Sequence, residues 1–303
     1  MKDSMIKSFI NYTGGKYRLL NQILPLFPKD ITNFVDLFAG SGVVGINATE
    51  YIKNIERITL YDINKQLVDL MNWVKSNDID SVNKKMYEII KEYNLSNTGD
   101  NGYEYYGVNS SIGLANINRN GYIKLRDQYN SVPDDALLYA LVVYGFNNQI
   151  RFNRKGQFNN PVGKRDFNKS MLDKLIKFSD AVKKFNVDIE CCDFRDVSIC
   201  DKMFFYVDPP YLISTASYNE NGGWTEEDEK DLLKYLEEVD RVGSKFALSN
   251  VLKLKGESND ILYEWLNNND YVVHHLNMNY NNSNYHKKRT GLTDEVLITN
   301  YCL

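Results

Sequence analysis

The sequence predicts an α/β protein built on a doubly wound, mostly parallel sheet, with a smaller, mainly helical insert. Three observations predict it. Short apolar runs at Phe34–Phe38 and Arg57–Tyr61 flank a helix-length segment that runs through Thr49, which is a β–α–β unit. The same alternation resumes after residue 169. Between residues 95 and 168 the rhythm breaks, and Asn, Gly, Tyr and Arg dominate.

The elements follow in order. Lys16–Leu26 carries Leu19, Leu20, Ile23 and Leu24 at helical spacing after the turn Thr13-Gly14-Gly15. Strand Phe34–Phe38 runs into Ala39-Gly40-Ser41-Gly42 and a helix, and strand Arg57–Tyr61 ends at Asp62. Residues 64–94 read as helical and amphipathic. Inside the irregular stretch only Asp134–Tyr144 has a convincing helical pattern. A helix at Met171–Phe185 follows, then strands at Val187–Cys191 and Met203–Val207. Thr225-Glu226-Glu227-Asp228 opens a helix with a capping-box start. Further strands are expected at Lys245–Ser249, Tyr271–Leu276 and Glu295–Thr299. The domain limits expected from this pattern are 1–67 with 169–303 for the main domain and 68–168 for the insert.

Composition bounds the class. With 43% hydrophobic and 25% charged residues the 303-residue chain has the make-up of a soluble globular protein. It lacks the run of roughly 20 apolar residues that spans a bilayer. The stretch MKDSMIKSFINYTGGK has no apolar leader core, so a cytoplasmic location is expected. Cys191, Cys192, Cys200 and Cys302 form no CxxC pair, and His274, His275 and His286 lack metal spacing. Buried, reduced thiols and no metal are the expectation. The net charge of −4 excludes a general polyanion binder. Yet Arg151–Arg165 (RFNRKGQFNNPVGKR) has five basic residues and no acid, which suits either a local phosphate contact or a solvated loop.

Two motifs carry chemistry. Tyr206-Val207-Asp208-Pro209-Pro210-Tyr211 is an apolar strand that stops in an acid, two prolines and a ring. The prolines fix φ and supply no N–H, so the turn is stiff. The Asp208 carboxylate and the Pro209 carbonyl can accept from an exocyclic amine, and Tyr211 offers a face for a planar base. The second motif, Gly40-Ser41-Gly42-Val43-Val44-Gly45 with Asp62 downstream, matches the dinucleotide fingerprint, so an NAD-dependent oxidoreductase is a rival reading. Asp36, just before the loop, favours a cofactor with a positive amino or sulfonium group over a pyrophosphate. Hydride transfer has no need of the Asp208 turn, whereas methylation of an amine has; S-adenosylmethionine is the better cofactor.

With both motifs in view, the chain resembles the Dam-like (D12 class) DNA adenine methyltransferases, in pattern most like the T-even phage enzymes. The resemblance runs from Tyr12-Thr13-Gly14-Gly15-Lys16 to Thr293-Asp294-Glu295-Val296-Leu297-Ile298-Thr299. It implies a Rossmann-like methyltransferase fold in which residues 68–168 form a target-recognition insert carrying a hairpin. It also implies methyl transfer from S-adenosylmethionine to the N6 amine of a flipped adenine in double-stranded DNA, at GATC or a related short site. By the same resemblance Tyr12 and Lys16 lie against the cofactor with Asp36, Phe38, Ala39, Gly40 and Gly42. Asp62 holds the ribose hydroxyls, and Asp193 and Phe194 border the adenine. Asp208, Pro209, Pro210 and Tyr211 form the catalytic turn, with Asp208 touching the methionine end as well.

For DNA, Arg151 and Arg165 are the candidates for bidentate reading of guanine, each worth about 1–3 kcal/mol of discrimination. Phe146 is a candidate wedge, with Asn147 and Asn148 beside it, and Pro161 a contact for a thymine methyl. The competing reading puts Phe146 in the core and both arginines on phosphates. Gln149 departs from the T-even pattern, which has an apolar residue there, so it bears on specificity. His286-Lys287-Lys288-Arg289 reads as a phosphate-contacting or solvated loop. Remaining alternatives are a cytosine N4 methyltransferase, whose turn often has Ser in place of Asp208, and a DNA-binding module on an inactive fold. No obligate protein partner is expected; if a restriction endonuclease is involved, it is another chain.

Overall fold

A computed structural model describes residues 5–12, 14–213, 223–277 and 293–303, with only the backbone at Glu50. Packing divides the chain into two units. One takes in Asp3–Gly15 and Asn64–Lys184, the other Lys16–Ile63 and Phe185–Leu303.

The second unit begins with a short 3-10 turn (Lys16–Arg18), helix α1 (Leu20–Ile23) and a second 3-10 turn (Leu24–Leu26). The single helix expected over 16–26 is thus broken. Pro25, at the start of the last turn, lacks the N–H that an uninterrupted helix requires. Strand β1 (Asn33–Asp36), helix α2 (Val43–Tyr51) and strand β2 (Arg57–Asp62) form the expected β–α–β unit.

The first unit follows, with α3 (Lys65–Ser76), α4 (Ile79–Glu92), α5 (Thr98–Asn101), α6 (Ala115–Ser131), α7 (Asp135–Tyr144) and α8 (Lys169–Lys184). The helical stretch expected over 64–94 is made of two helices. Asp78 accepts from Ser81 N–H and starts α4 afresh. The expectation of one helix in 95–168 misses α6, whose buried face includes Asn118 and Gly121 beside Tyr122, Leu125 and Tyr129. Two small or polar residues on that face mask the apolar period. Asn118 is buried because it serves Ser96, accepting from its N–H at 2.7 Å and donating to its Oγ at 3.0 Å. Helix α7 is apolar all round (DALLYALVVY) and forms the centre of this unit, packed by α3, α4 and α6. Helix α8 packs on α3 and α4, which places residues 169–184 with the helical unit.

The second unit resumes with β3 (Asp188–Cys191), β4 (Met203–Val207), α9 (Glu226–Arg241), β5 (Lys245–Leu254), β6 (Glu257–Ser258), α10 (Asp260–Asn267), β7 (Val272–Leu276) and β8 (Asp294–Thr299). Sheet order is β3-β2-β1-β4-β5-β8-β7, with β6 paired to β5. The first five strands are parallel, and β8 is antiparallel to both β5 and β7. Parallel strands need both faces covered, and β4 accordingly buries Phe204, Phe205, Tyr206 and Val207. The expected capping box forms at Thr225 and Asp228.

The cysteines correct one expectation. All four are free, but Cys191, Cys200 and Cys302 are exposed and Cys192 is half-buried. Cys191 ends an edge strand and Cys302 lies past β8, so neither has a second layer over it. His286–Arg289 lies outside the described residues.

Candidate active site

Strand order reverses between β1 and β4, and ligands of doubly wound folds bind beyond the carboxyl ends of the strands at such a point. In register, Asp36 pairs with Tyr206, so the two chains leave the sheet side by side. Leu37 N–H donates to Tyr206 O at 3.0 Å. The glycine loop leaves one strand end and the Asp208 turn the other.

The loop is held by its neighbours. Ala39 N–H donates to Tyr61 O at 2.8 Å, and Gly40 N–H donates to Asp62 Oδ2 at 2.8 Å. Gly40 (φ 52°) and Gly42 (φ 70°) are left-handed, a conformation a side chain resists. Gly45 has a different use. A Cβ there meets Leu60 Cδ2 at 2.5 Å, so the glycine lets α2 close on the sheet.

Asp36 is 1% exposed, and its Oδ1 has no hydrogen-bond partner among the described residues. Burial pushes its carboxyl well above the usual range. The charge of Asp208 adds to this, and the Phe38 N–H opposes it. A buried acceptor without a donor is uncommon and marks a place for one.

Three polar side chains, Lys16, Tyr211 and Glu295, converge on Asp208. Lys16 Nζ, itself 5% exposed, lies 2.8 Å from Asp208 Oδ1 and 3.8 Å from Glu295 Oε1. The Tyr211 hydroxyl lies 3.2 Å from each of those same two oxygens. Lys16 Nζ also sits 5.0 Å from the Tyr211 ring centre. Burial raises the Asp208 carboxyl, with the Lys16 charge opposing, and raises Glu295 for the same reason. Burial likewise keeps the Tyr211 phenol protonated. Lys16, which the resemblance sets against the cofactor, has its short ion pair with Asp208. Glu295 was missed. The available signal was a second acid, after Asp294, running into the apolar part of the strand DEVLIT.

An aromatic group lies past β1 and β3. Phe38 and Phe194 have ring centres 5.4 Å apart, and Trp224 stands 5.6 Å from Phe38 and 5.9 Å from Phe194. Trp224, also unforeseen, donates from Nε1 to Glu229 at 2.6 Å. That buried carboxylate is satisfied by Asn250 and Asn259 as well. Asp193 caps the 3-10 turn Phe194–Asp196, accepting from Arg195 N–H at 2.9 Å, while the Arg195 guanidinium bonds Asp193, Asp228 and Asp231.

Tyr12 belongs to the first unit, where its carbonyl accepts from Gly15 N–H. So do all the candidate DNA contacts. Residues 145–163 form a hairpin joined by bridges at Gly145–Val162 and Phe152–Phe158. Asn160 braces it from inside, donating to Phe146 O and Gln149 O, and Tyr122 donates to Asn160 O at 2.9 Å. Phe146 is 50% exposed, which removes the reading that it is core. Asn147, Arg151, Pro161 and Arg165 are exposed, and Asn148 and Gln149 are half-buried. Asn147 and Asn148 are both left-handed, and Asn148 donates to Val143 O at 2.6 Å. Arg165 donates to the Tyr103 hydroxyl at 3.1 Å.

A glycine loop and an acid-ended turn at the switch point of such a sheet define a Rossmann-like α/β unit of the methyltransferase type. The family model for D12 class N6 adenine-specific DNA methyltransferases matches residues 12–282, and the chain belongs to that family. It is 38% identical to the type II methyltransferase M.FokI of Planomicrobium okeanokoites, over 99% of this chain and 43% of that protein. It is 27% identical to M.MjaIII of Methanocaldococcus jannaschii over 98% of this chain and 99% of that one. With the DNA adenine methylase of Haemophilus influenzae it shares 31% identity over 68% of this chain and 64% of that one. The chain thus spans less than half the length of M.FokI, and the same holds for the modification methylase StsI of Streptococcus sanguinis.

Proposed function

We propose that this protein is a site-specific DNA methyltransferase that moves a methyl group from S-adenosylmethionine to the exocyclic N6 amine of an adenine in double-stranded DNA. The observation that carries the reading is the Asp208 turn, set at the switch point beside Asp36 and the glycine loop and charged by Lys16. Family membership supports the same base and atom.

The residues fit the cofactor. Asp36 Oδ1 is a buried oxygen with no hydrogen-bond partner among the described residues, and the methionine amine is a donor that suits it. Asp62 is the acceptor for ribose hydroxyls, and Phe38, Phe194 and Trp224 supply apolar walls for an adenine, bordered by Asp193. Ala39, Gly40 and Gly42 present backbone to it, and Lys16 completes the set. Bound there, S-adenosylmethionine supplies an electrophilic methyl on a sulfonium.

The protein's own work is to prepare the nucleophile. The adenine amine is a weak nucleophile because its lone pair is delocalised into the ring. Lys16 and Tyr211 both meet the Asp208 carboxylate at Oδ1. We assign Oδ2 and the Pro209 carbonyl to the two amine protons. Those bonds draw the nitrogen toward a tetrahedral form, freeing the lone pair for in-line attack. Pro209 and Pro210 keep these acceptors from relaxing, so orientation is set before the base arrives. Stacking on Tyr211 contributes about 1–3 kcal/mol toward extruding the base.

The helical unit is assigned to DNA. Arg151 and Arg165 read guanine edges and Phe146 fills the stack, with Asn147, Asn148, Gln149 and Pro161 near the bases. The target is GATC or a related short site. The names of the relatives suggest a place in restriction–modification, with any endonuclease on another chain. The test is direct. Purified protein, S-adenosylmethionine and plasmid DNA should yield N6-methyladenine by mass spectrometry, and sequencing that detects methylated bases gives the site. Asp208→Ala should be folded and inactive. Transfer to cytosine, or full activity in that variant, overturns the proposal.

A further inference from the structure

The Tyr211 hydroxyl has one hydrogen and two carboxylate oxygens at the same distance, 3.2 Å to Asp208 Oδ1 and 3.2 Å to Glu295 Oε1. One hydrogen cannot satisfy both acceptors. If both acids are ionised, one of them faces the phenol oxygen with no proton between two lone pairs. Lys16 cannot cover both either, being at 2.8 Å from Asp208 and 3.8 Å from Glu295. A second proton in the cluster removes the conflict.

We propose that Glu295 is a positioning residue of the catalytic turn, a neutral acid that donates to the Tyr211 hydroxyl, which in turn donates to Asp208. The proposal rests on the reading of Asp208 as the amine acceptor. The proton sits on Glu295 and not on Asp208 because Lys16 is a full ångström nearer Asp208 and selects it as the anion. Glu295 is 3% exposed on β8, between Val251 of β5 and Leu276 of β7, which bring no charge. The titratable groups facing it are Lys16, Asp208, Tyr211 and Tyr206, and the Tyr206 hydroxyl is engaged by Ser249 at 2.9 Å. Burial raises its carboxyl in the same sense.

The chain Glu295–Tyr211–Asp208 does two things for the reaction. It fixes the phenol, and with it the ring plane on which a base stacks. It also directs the only hydrogen bond from the tyrosine onto Oδ1, keeping Oδ2 turned to the amine. In this scheme the acid is held as a donor and undergoes no chemistry.

The first test needs no activity. Infrared difference spectra of wild-type and Glu295→Gln protein at neutral pH should show a protonated-carboxylic-acid band that the variant lacks. An ionised carboxylate difference, or a protonated band that persists in the variant, overturns the proposal. The second test uses rate. Glutamine keeps an N–H donor, so Glu295→Gln should hold kcat within a few-fold, whereas Glu295→Ala should lose roughly tenfold, the value of one hydrogen bond. KM for DNA should be near unchanged in both. Equal loss in both variants overturns the donor role. If the wild-type protein methylates nothing, the function fails while the infrared result stands by itself.

Discussion

The Lys16 ammonium lies 2.8 Å from Asp208 Oδ1, joining the segment before β1 to the turn after β4. Both partners are largely buried, so neither charge is solvated enough to tolerate loss of the other. Lys16→Met should therefore raise the Asp208 carboxyl further, since burial already pushes it up and lysine is what opposes that. The acidic limb of kcat against pH should move to higher pH, with a loss of tenfold or more near neutrality. An unmoved limb would show that Lys16 does not set the state of Asp208.

Asp36 predicts an exchange of stability for binding. Its folded-state pKa is raised above the unfolded value. Its favourable contribution is therefore complete below the unfolded value and is lost as pH rises through the folded one. Asp36→Asn removes that loss, so the cofactor-free variant should melt higher than wild type, by a margin that grows with pH. The same variant should bind S-adenosylmethionine more weakly. Melting curves at several pH values with calorimetric titration check both halves.

Asp62 holds the Gly40 N–H as well as being the assigned ribose acceptor. Asp62→Ala should weaken cofactor binding by roughly tenfold or more, the range for hydrogen bonds to a charged group. DNA binding without cofactor should be unchanged. Unaltered cofactor affinity would remove Asp62 from the site.

Gly45→Ala sets two magnitudes against each other. Alanine in place of glycine gains about 0.5–1 kcal/mol of helix propensity. The added methyl lies 2.5 Å from Leu60 Cδ2 in a filled core, and overpacking costs about 1–3 kcal/mol. The net should be destabilising, seen as a lower denaturation midpoint. A raised midpoint would mean that Leu60 has room to turn.

In the basic run 151–165, Arg151→Ala and Arg165→Ala should each relax discrimination at one base pair, by about 1–3 kcal/mol. A phosphate contact behaves differently. Its loss weakens binding evenly across sequences and reduces the salt slope. Competition binding at two salt concentrations separates the two roles for each arginine.

Much of this protein is determined locally. The strand–glycine–helix order, the stiff double-proline turn and the capping box at Thr225 are rules of backbone geometry, and they are legible residue by residue. So was the basic run on the hairpin, because exposed charge needs no partner to be recognised. The helix α6 was hidden because a residue such as Asn118 is buried only for the sake of Ser96, far along the chain. Glu295 and Trp224 were hidden for the same reason: one acid and one ring have no meaning until folding brings Lys16 and Tyr211 to the first and Phe38 and Phe194 to the second. Sequence fixes which groups are present and what backbone they permit. Which acid is paired with the lysine, and which acceptor is left without a donor, follows only from long-range packing, since both depend on distances between residues that no local rule relates.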